Sequence, residues 1–346
     1  MINFDDLDAI KKLDPKDSFG TTNKTIDQLD AAWKQVNSLQ IPKFENIKSV
    51  IFCGMGASIY GALVIKSLLN RELSYPIEII SDYNLPDWAN ESTLVVLTSY
   101  SGTTEEVLSC ADQALAKNTK ILVLTHGGQL SEFAKKNNIS SYIFDGALNP
   151  GDIPRLGSGY TILGLIGLLN KAGIITVEEH EITNAITRLR DKFADLKKQA
   201  LIDHDKFVNK IPIILASEHL SGNAQILRNQ FNETSKSFSG FFLIPDLNHH
   251  LMEGLQFPAD HNLKFLILST RNYSEKNTKR TELTIDVIRK NKHEIFEFKA
   301  SGQTVYDDFM EVLIYGSFLT LYLGLRYDQD PSPNPWVDYF KKELTK

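Results

Sequence analysis

Cysteine is scarce: two residues, Cys53 and Cys110, in a chain of 346. They form no CxxC or other close-spaced ligand pattern, so neither a disulfide framework nor a thiolate metal site is expected. Cys53 lies in the apolar run SVIFC and Cys110 in a helical pattern, and both read as packing thiols. An excess of positive charge is also missing. Lys and Arg total 37 against 43 Asp and Glu, a formal charge of −6. Such a chain has no general pull toward nucleic acid or anionic membrane, and any anion site must be local. The longest apolar stretch reads as YTILGLIGLL, residues 160–169, about half of a membrane span. The first residues, MINFDDLDAIKKLD, are acidic and lack the apolar centre of a signal peptide. These absences predict a cytoplasmic protein that binds neither nucleic acid nor a membrane. What is present is ordinary globular material, 42% hydrophobic and 23% charged, enough for two sizeable cores.

From Lys48 onward, short apolar runs alternate with helix-length segments. The runs are SVIFC (49–53), IEII (77–80), TLVVLTS (93–99), KILVLT (120–125) and SYIF (141–144). Continuous apolar runs of this length predict strands buried on both faces, hence an α/β fold with a mostly parallel sheet flanked by helices. Residues 1–47 read as helices and loops wrapping the core, with Leu29 and Trp33 in an amphipathic stretch. A helical stretch from 160 to about 205 precedes a second series: PIILAS (212–217), GFFLIP (240–245), KFLILST (264–270) and EIFEF (294–298). The two series match in order. Each opens on a strand, a loop of small residues and an amphipathic helix, and each carries Asp-x-Asn after its second strand (Asp82, Asp246). We read a duplicated unit, with domains at 1–200 and 201–346.

Two loops after strands could carry chemistry. In SYSGTTEE (99–106) four hydroxyls surround Gly102 and a helix begins on acidic residues. Free backbone N–H groups at a helix start, with Ser and Thr donors, make a neutral cradle for a phosphate monoester. The alternative is an over-furnished helix cap, since the same residue types favour caps. In GMGAS (54–58) the glycines run G-x-G-x-x-x-x-G (Gly54, Gly56, Gly61), so the dinucleotide fingerprint fails at its third position. The second series has STRNYSEK (269–276) where the first has the hydroxyl loop, so one phosphate site per chain is expected. The pair His249-His250 invites a metal reading, but adjacent residues rarely converge on one ion, and no metal or other cofactor is expected. His180, His204 and His261 read as surface histidines.

GMGASIYG (54–61), SYSGTTEE (99–106), PRLGSGY (154–160), NETSK (232–236), PDLNH (245–249) and DPSPNPWVDYFKKEL (330–344) together resemble a tandem sugar isomerase (SIS) domain protein. The chain is most similar to the bifunctional phosphoglucose/phosphomannose isomerase family. That resemblance implies two SIS-type three-layer domains and a homodimer with sites near the subunit interface. It also implies aldose–ketose isomerisation of a hexose 6-phosphate through an enediol. Ser58, Ser99, Ser101 and Thr104 align with the family's phosphate-binding hydroxyls, with Gly56 and Gly102 in the substrate loops. Glu233 aligns with the base that moves a proton between C1 and C2, a task suited to a carboxylate. Arg155 aligns with the arginine that stabilises the enediolate. His249 and Lys341 align with the residues that assist ring opening, Lys342 being the immediate neighbour. The chain departs from the family at Thr103, where Asn is usual, at His250-Leu251 in place of Asn-Glu, and at Ser317 in place of Asp. Two other functions are consistent with the same motifs: an aminosugar-phosphate isomerase and a non-catalytic sugar-phosphate sensor.

Overall fold

A computed structural model describes residues 3–4, 6–69, 72–258 and 262–344. Three helices open the chain: α1 (Leu7–Leu13), α2 (Ser18–Asn23) and α3 (Thr25–Ser38). The first α/β series follows as β1 (Ser49–Cys53), α4 (Tyr60–Leu69), β2 (Ile77–Ile80), β3 (Thr93–Ser99), α5 (Glu105–Ala116), β4 (Lys120–Thr125), α6 (Gly128–Lys136) and β5 (Ser141–Ile143). Helices α7 (Ser158–Lys171) and α8 (Glu179–Asp203) lead to the second series. It comprises β6 (Ile211–Ser217), α9 (Ser221–Glu233), β7 (Gly240–Ile244), α10 (Leu251–Gly254), β8 (Leu263–Thr270), α11 (Glu275–Lys290) and β9 (Glu294–Ala300). The chain closes with α12 (Val305–Arg326) and α13 (Pro335–Leu344).

Every strand pairing is parallel, in two sheets of order β2-β1-β3-β4-β5 and β7-β6-β8-β9. The second order repeats the first, strand for strand, over its four members. The duplication read from the order of motifs is therefore present in the topology. Central strands β1 and β3 are buried at every residue, as expected for a parallel sheet covered on both faces. The strands β2 and β7, at the edges of their sheets, are only half-buried.

Period-two alternation sorts the strand side chains between layers. Ile51, Cys53, Val95, Leu97 and Val123 pack under α5 and α6 on the outer face of the first sheet. Val50, Phe52, Leu94, Val96 and Leu124 join a central core that also takes Ile214, Ala216, Leu266 and Leu268 of the second sheet. Ile213, Leu215, Phe265 and Ile267 face outward toward α11. One helical layer thus lies between the sheets, with α3 on α7, α4 on α9 and α8 on α12. Among the described residues, its member long and apolar enough for a membrane span is α12 rather than the 160–169 segment singled out by sequence. By length and composition α12 could cross a membrane, yet 94% of its most apolar window is buried inside the protein. It is buried because it packs against helices α8 and α9.

One feature differs from expectation. His204 is buried, not a surface residue: it ends α8, bonds Leu201 O through Nδ1 at 2.5 Å, and meets Phe4 edge-on. His180 is exposed, and His261 lies outside the described residues. Helix α13 has no buried residue, and it exposes Trp336 (82%), Tyr339, Phe340 and Leu344 to solvent.

Candidate functional site

The carboxyl ends of β1 and β3 carry the two loops marked out by sequence, adjacent because the strands pair in register from Ser49–Thr93 to Cys53–Leu97. Ser58 Oγ reaches across to accept the backbone N–H of Tyr100 at 2.9 Å. Ser99 Oγ accepts Gly102 N–H at 3.0 Å and lies 2.8 Å from Thr104 Oγ1, while Ser101 Oγ lies 3.0 Å from Thr103 Oγ1. The four predicted hydroxyls thus lie in two adjacent loops, with Ser58 and Ser99 buried. Gly102 is required there: its φ is +69°, and a Cβ would come within 1.8 Å of Gly127 O. Gly56 likewise holds φ +54°, which turns the chain into the short 3-10 turn at Gly56–Ile59.

The hydroxyls do not serve as a helix cap. Thr104 occupies the N-cap of α5 without a side-chain capping bond, so the first-turn N–H groups of α5 lack that partner. The equivalent loop of the second half behaves differently. Ser274 caps α11 by accepting Asn277 N–H, and the Glu218 carboxylate accepts Ser274 N–H at 3.1 Å and Asn277 Nδ2 at 2.6 Å. A carboxylate already sits at the helix start where a phosphate would have to bind. A single cradle per chain is what this asymmetry supports.

Arg155 and Glu233 meet beside the first cradle. Arg155 lies in the 3-10 turn Pro154–Gly157, where Gly157 abuts the Tyr100 ring so closely that a Cβ would fall 2.2 Å from it. That contact ties the arginine to the residue whose N–H holds Ser58. Glu233 is the last residue of α9, which packs on α4 and on the Gly56–Ile59 turn. Arg155 is 4% exposed, and its NH1 lies 3.9 Å from Glu233 Oε2. Its other donors reach Thr234 Oγ1 at 3.3 Å, Ser332 O at 2.9 Å and Pro331 O. Burial pulls the guanidinium below the usual arginine range, and the Glu233 charge partly restores it.

Three residues at this junction had no role assigned from sequence. Lys236 donates to Glu233 O at 2.6 Å and Pro333 O at 2.5 Å, with Asn334 Oδ1 at 3.5 Å. Burial, and secondarily the Arg155 charge, push Lys236 down to about 8. Asn334 Nδ2 donates to Glu233 Oε2 at 3.0 Å. Tyr60 is fully buried, and burial, then the Glu233 charge, hold its proton in place. All three stand inside segments already marked out, NETSK, DPSPNPW and GMGASIYG. A polar residue beside a catalytic candidate was the available signal, but nothing in one dimension shows that residues 233 and 334 touch.

The ring-opening candidates are not brought to this cluster. His249 ends a short turn after β7 and is exposed, and Lys341 is exposed on α13. Neither side chain forms a hydrogen bond or ion pair among the described residues. No group of three or more His, Cys, Asp or Glu side chains suited to a metal occurs among the described residues. A separate cleft of about 710 Å3 opens between the halves beside Ile59, walled by Lys66, Gln225, Phe241 and the buried His219, which bonds Asp308 at 3.0 Å. None of the sequence-predicted site residues lines it.

Residues 204–344 match the bacterial phospho-glucose isomerase C-terminal SIS domain. A bifunctional phosphoglucose/phosphomannose isomerase of Caldicellulosiruptor bescii is 29% identical over 318 residues, covering 88% of this chain and 91% of its own. A protein of the same name from Aquifex aeolicus is 28% identical over 304 residues, covering 86% and 91%. Among solved structures, a hypothetical protein of Thermus thermophilus superposes with a TM-score of 0.74 at 15% identity, over 98% of this chain and 93% of its own, a likeness of fold. With relatives that span both halves and a family match across the second, this chain is similar over most of its length to bifunctional phosphoglucose/phosphomannose isomerases.

Proposed function

We propose that the protein interconverts aldose and ketose hexose 6-phosphates, glucose or mannose 6-phosphate on one side and fructose 6-phosphate on the other. The observation that carries the reading is a buried guanidinium 3.9 Å from a part-exposed carboxylate, packed against a hydroxyl cradle that caps no helix. The cradle of Ser58, Ser99, Ser101 and Thr104 holds the phosphate, helped by the free N–H groups at the start of α5. Glu233 takes the proton from the carbon beside the carbonyl and returns it to the neighbouring carbon. Arg155 supplies fixed positive charge where the enediolate oxygen develops negative charge. The proton leaves one carbon and arrives at the next, so no oxidant or other co-reactant is consumed.

Ring opening is assigned to His249 and Lys341 on the resemblance. Their exposure, and that of the apolar side chains of α13, support a homodimer in which a second protomer completes the site. Domains divided near residue 200 and a cytoplasmic location complete the reading. The decisive experiment is Glu233→Gln, assayed by coupled detection of fructose 6-phosphate from both aldoses, with glucosamine 6-phosphate as comparator. Loss of general-base catalysis is worth about 10²–10⁴-fold, with calorimetric binding of fructose 6-phosphate retained. Turnover above about a tenth of the parent rate excludes Glu233 as the base. A parent that binds but converts no hexose 6-phosphate is a sensor, and one that converts only glucosamine 6-phosphate is an aminosugar isomerase.

A further inference from the structure

The C-terminal segment between α12 and α13 crosses the end of α9 and is fastened there at several points. Arg155 donates to Ser332 O at 2.9 Å and to Pro331 O, and Lys236 donates to Pro333 O at 2.5 Å. The next residue, Asn334, makes a contact of another kind, because its partner is the Glu233 side chain itself: Nδ2 to Oε2 at 3.0 Å. The amide orientation follows from chemistry. The carboxylate needs a donor, and the Lys236 ammonium, 3.5 Å from Oδ1, needs an acceptor. Turning the amide over would set two acceptors and two donors against each other. The Arg155 guanidinium approaches the same oxygen, at 3.9 Å. Both partners therefore address Oε2, and Oε1 accepts no hydrogen bond among the described residues.

We propose that Asn334 is a positioning residue for the isomerisation: by donating to Oε2 it locks the Glu233 carboxylate so that Oε1 faces the substrate carbons and shuttles the proton. This rests on the reading of Glu233 as the base. Lys236 supports the arrangement from behind, holding Asn334 Oδ1 and, through Glu233 O, the end of α9. A carboxylate on a side chain with several rotatable bonds, 29% exposed, otherwise turns freely, and a misplaced base loses rate rather than affinity. The phosphate cradle belongs to the first half of the chain and does not depend on Asn334.

Two substitutions separate positioning from simple anchoring. Asn334→Ala removes the donor. Asn334→Asp keeps the size and the acceptor facing Lys236 but sets a second carboxylate against Oε2. A hydrogen bond to a charged group, about 1.5–3 kcal/mol, corresponds to roughly 10–150-fold. The expected result is a kcat lowered by about that factor in N334A and at least as far in N334D, with KM within about threefold. With hexose 6-phosphate deuterated at C2, both variants should also carry less label to C1, since a badly aimed base exchanges its proton with water. Thermal unfolding of both variants, with Asn334→Ser as a milder replacement, checks that the fold is intact.

Should N334D keep kcat within about threefold and full label transfer while Glu233→Gln is inactive, Asn334 is only an anchor and the proposal falls alone. Should Glu233→Gln remain active, or the parent turn over no hexose 6-phosphate, the reading of Glu233 falls and takes this proposal with it.

Discussion

Replacing Arg155 by Met separates two ways in which a buried guanidinium can stabilise a protein. Arg155 donates to two main-chain carbonyls, of Pro331 and Ser332, and to Thr234 Oγ1. Each hydrogen bond to a charged group contributes about 1.5–3 kcal/mol, so the two carbonyl bonds alone amount to roughly 3–6 kcal/mol. Against this stands the cost of holding a guanidinium at 4% exposure, seen in its lowered pKa and relieved by an apolar side chain of similar length. The two orphaned carbonyls are on Pro331 and Ser332, buried residues of a segment whose residues 328, 329 and 333 are exposed. They regain water if residues 330–334 lift away while the sheets stay folded. The penalty is thus capped by the cost of local opening, and the change is subglobal. Urea unfolding followed by circular dichroism should move by about 1 kcal/mol or less. Hydrogen exchange in 327–344 should accelerate by about 30–1,000-fold, the equivalent of roughly 2–4 kcal/mol. Exchange that stays at the parent rate, or a global loss of the full amount with the segment still protected, refutes the reasoning and makes Arg155 a strut of the core.

Thr104→Ala tests the cradle against the cap. Because Thr104 makes no capping bond to α5, stability should change by less than about 0.5 kcal/mol, while KM for fructose 6-phosphate rises about 10–150-fold for one hydrogen bond to a charged phosphate; a loss of about 1 kcal/mol in stability with KM unchanged restores the cap. Lys236 gives a pH signature. Its folded value near 8 lies below the ordinary lysine value of 10.5, lowered by burial and by Arg155 and opposed by Asp330 and Glu233. Between those values the unfolded chain binds more protons, so stability rises with pH across that window and the penalty of the buried charge is fully present below it. Urea midpoints between about pH 7.5 and 10.5 should climb more steeply for the parent than for Lys236→Met, and parallel curves contradict the assignment.

The strand runs and the order of motifs determined the two parallel sheets, because an apolar run bounded by loop residues can bury its whole length only between covering layers. The hydroxyl loop was equally legible as a cradle or a cap. Only the folded backbone shows that Thr104 does not cap α5, since a cap depends on whether an oxygen meets a particular N–H. Helix α12 shows the same limit from another side: its composition permits a membrane span, and the neighbouring helices α8 and α9 make it a core element. His204 read as a surface residue because one imidazole at a helix end carries no periodicity, while burial depends on Phe4 and Tyr322, far away in sequence. Arg155, Glu233 and Asn334 lie in three separated segments. Each was visible in a motif, but their meeting depends on α9 packing against the first half and on the C-terminal segment crossing its end. Residue types and local periodicity are written along the chain. Distances among residues 155, 233 and 334 arise only when two sheets close on one shared layer of helices.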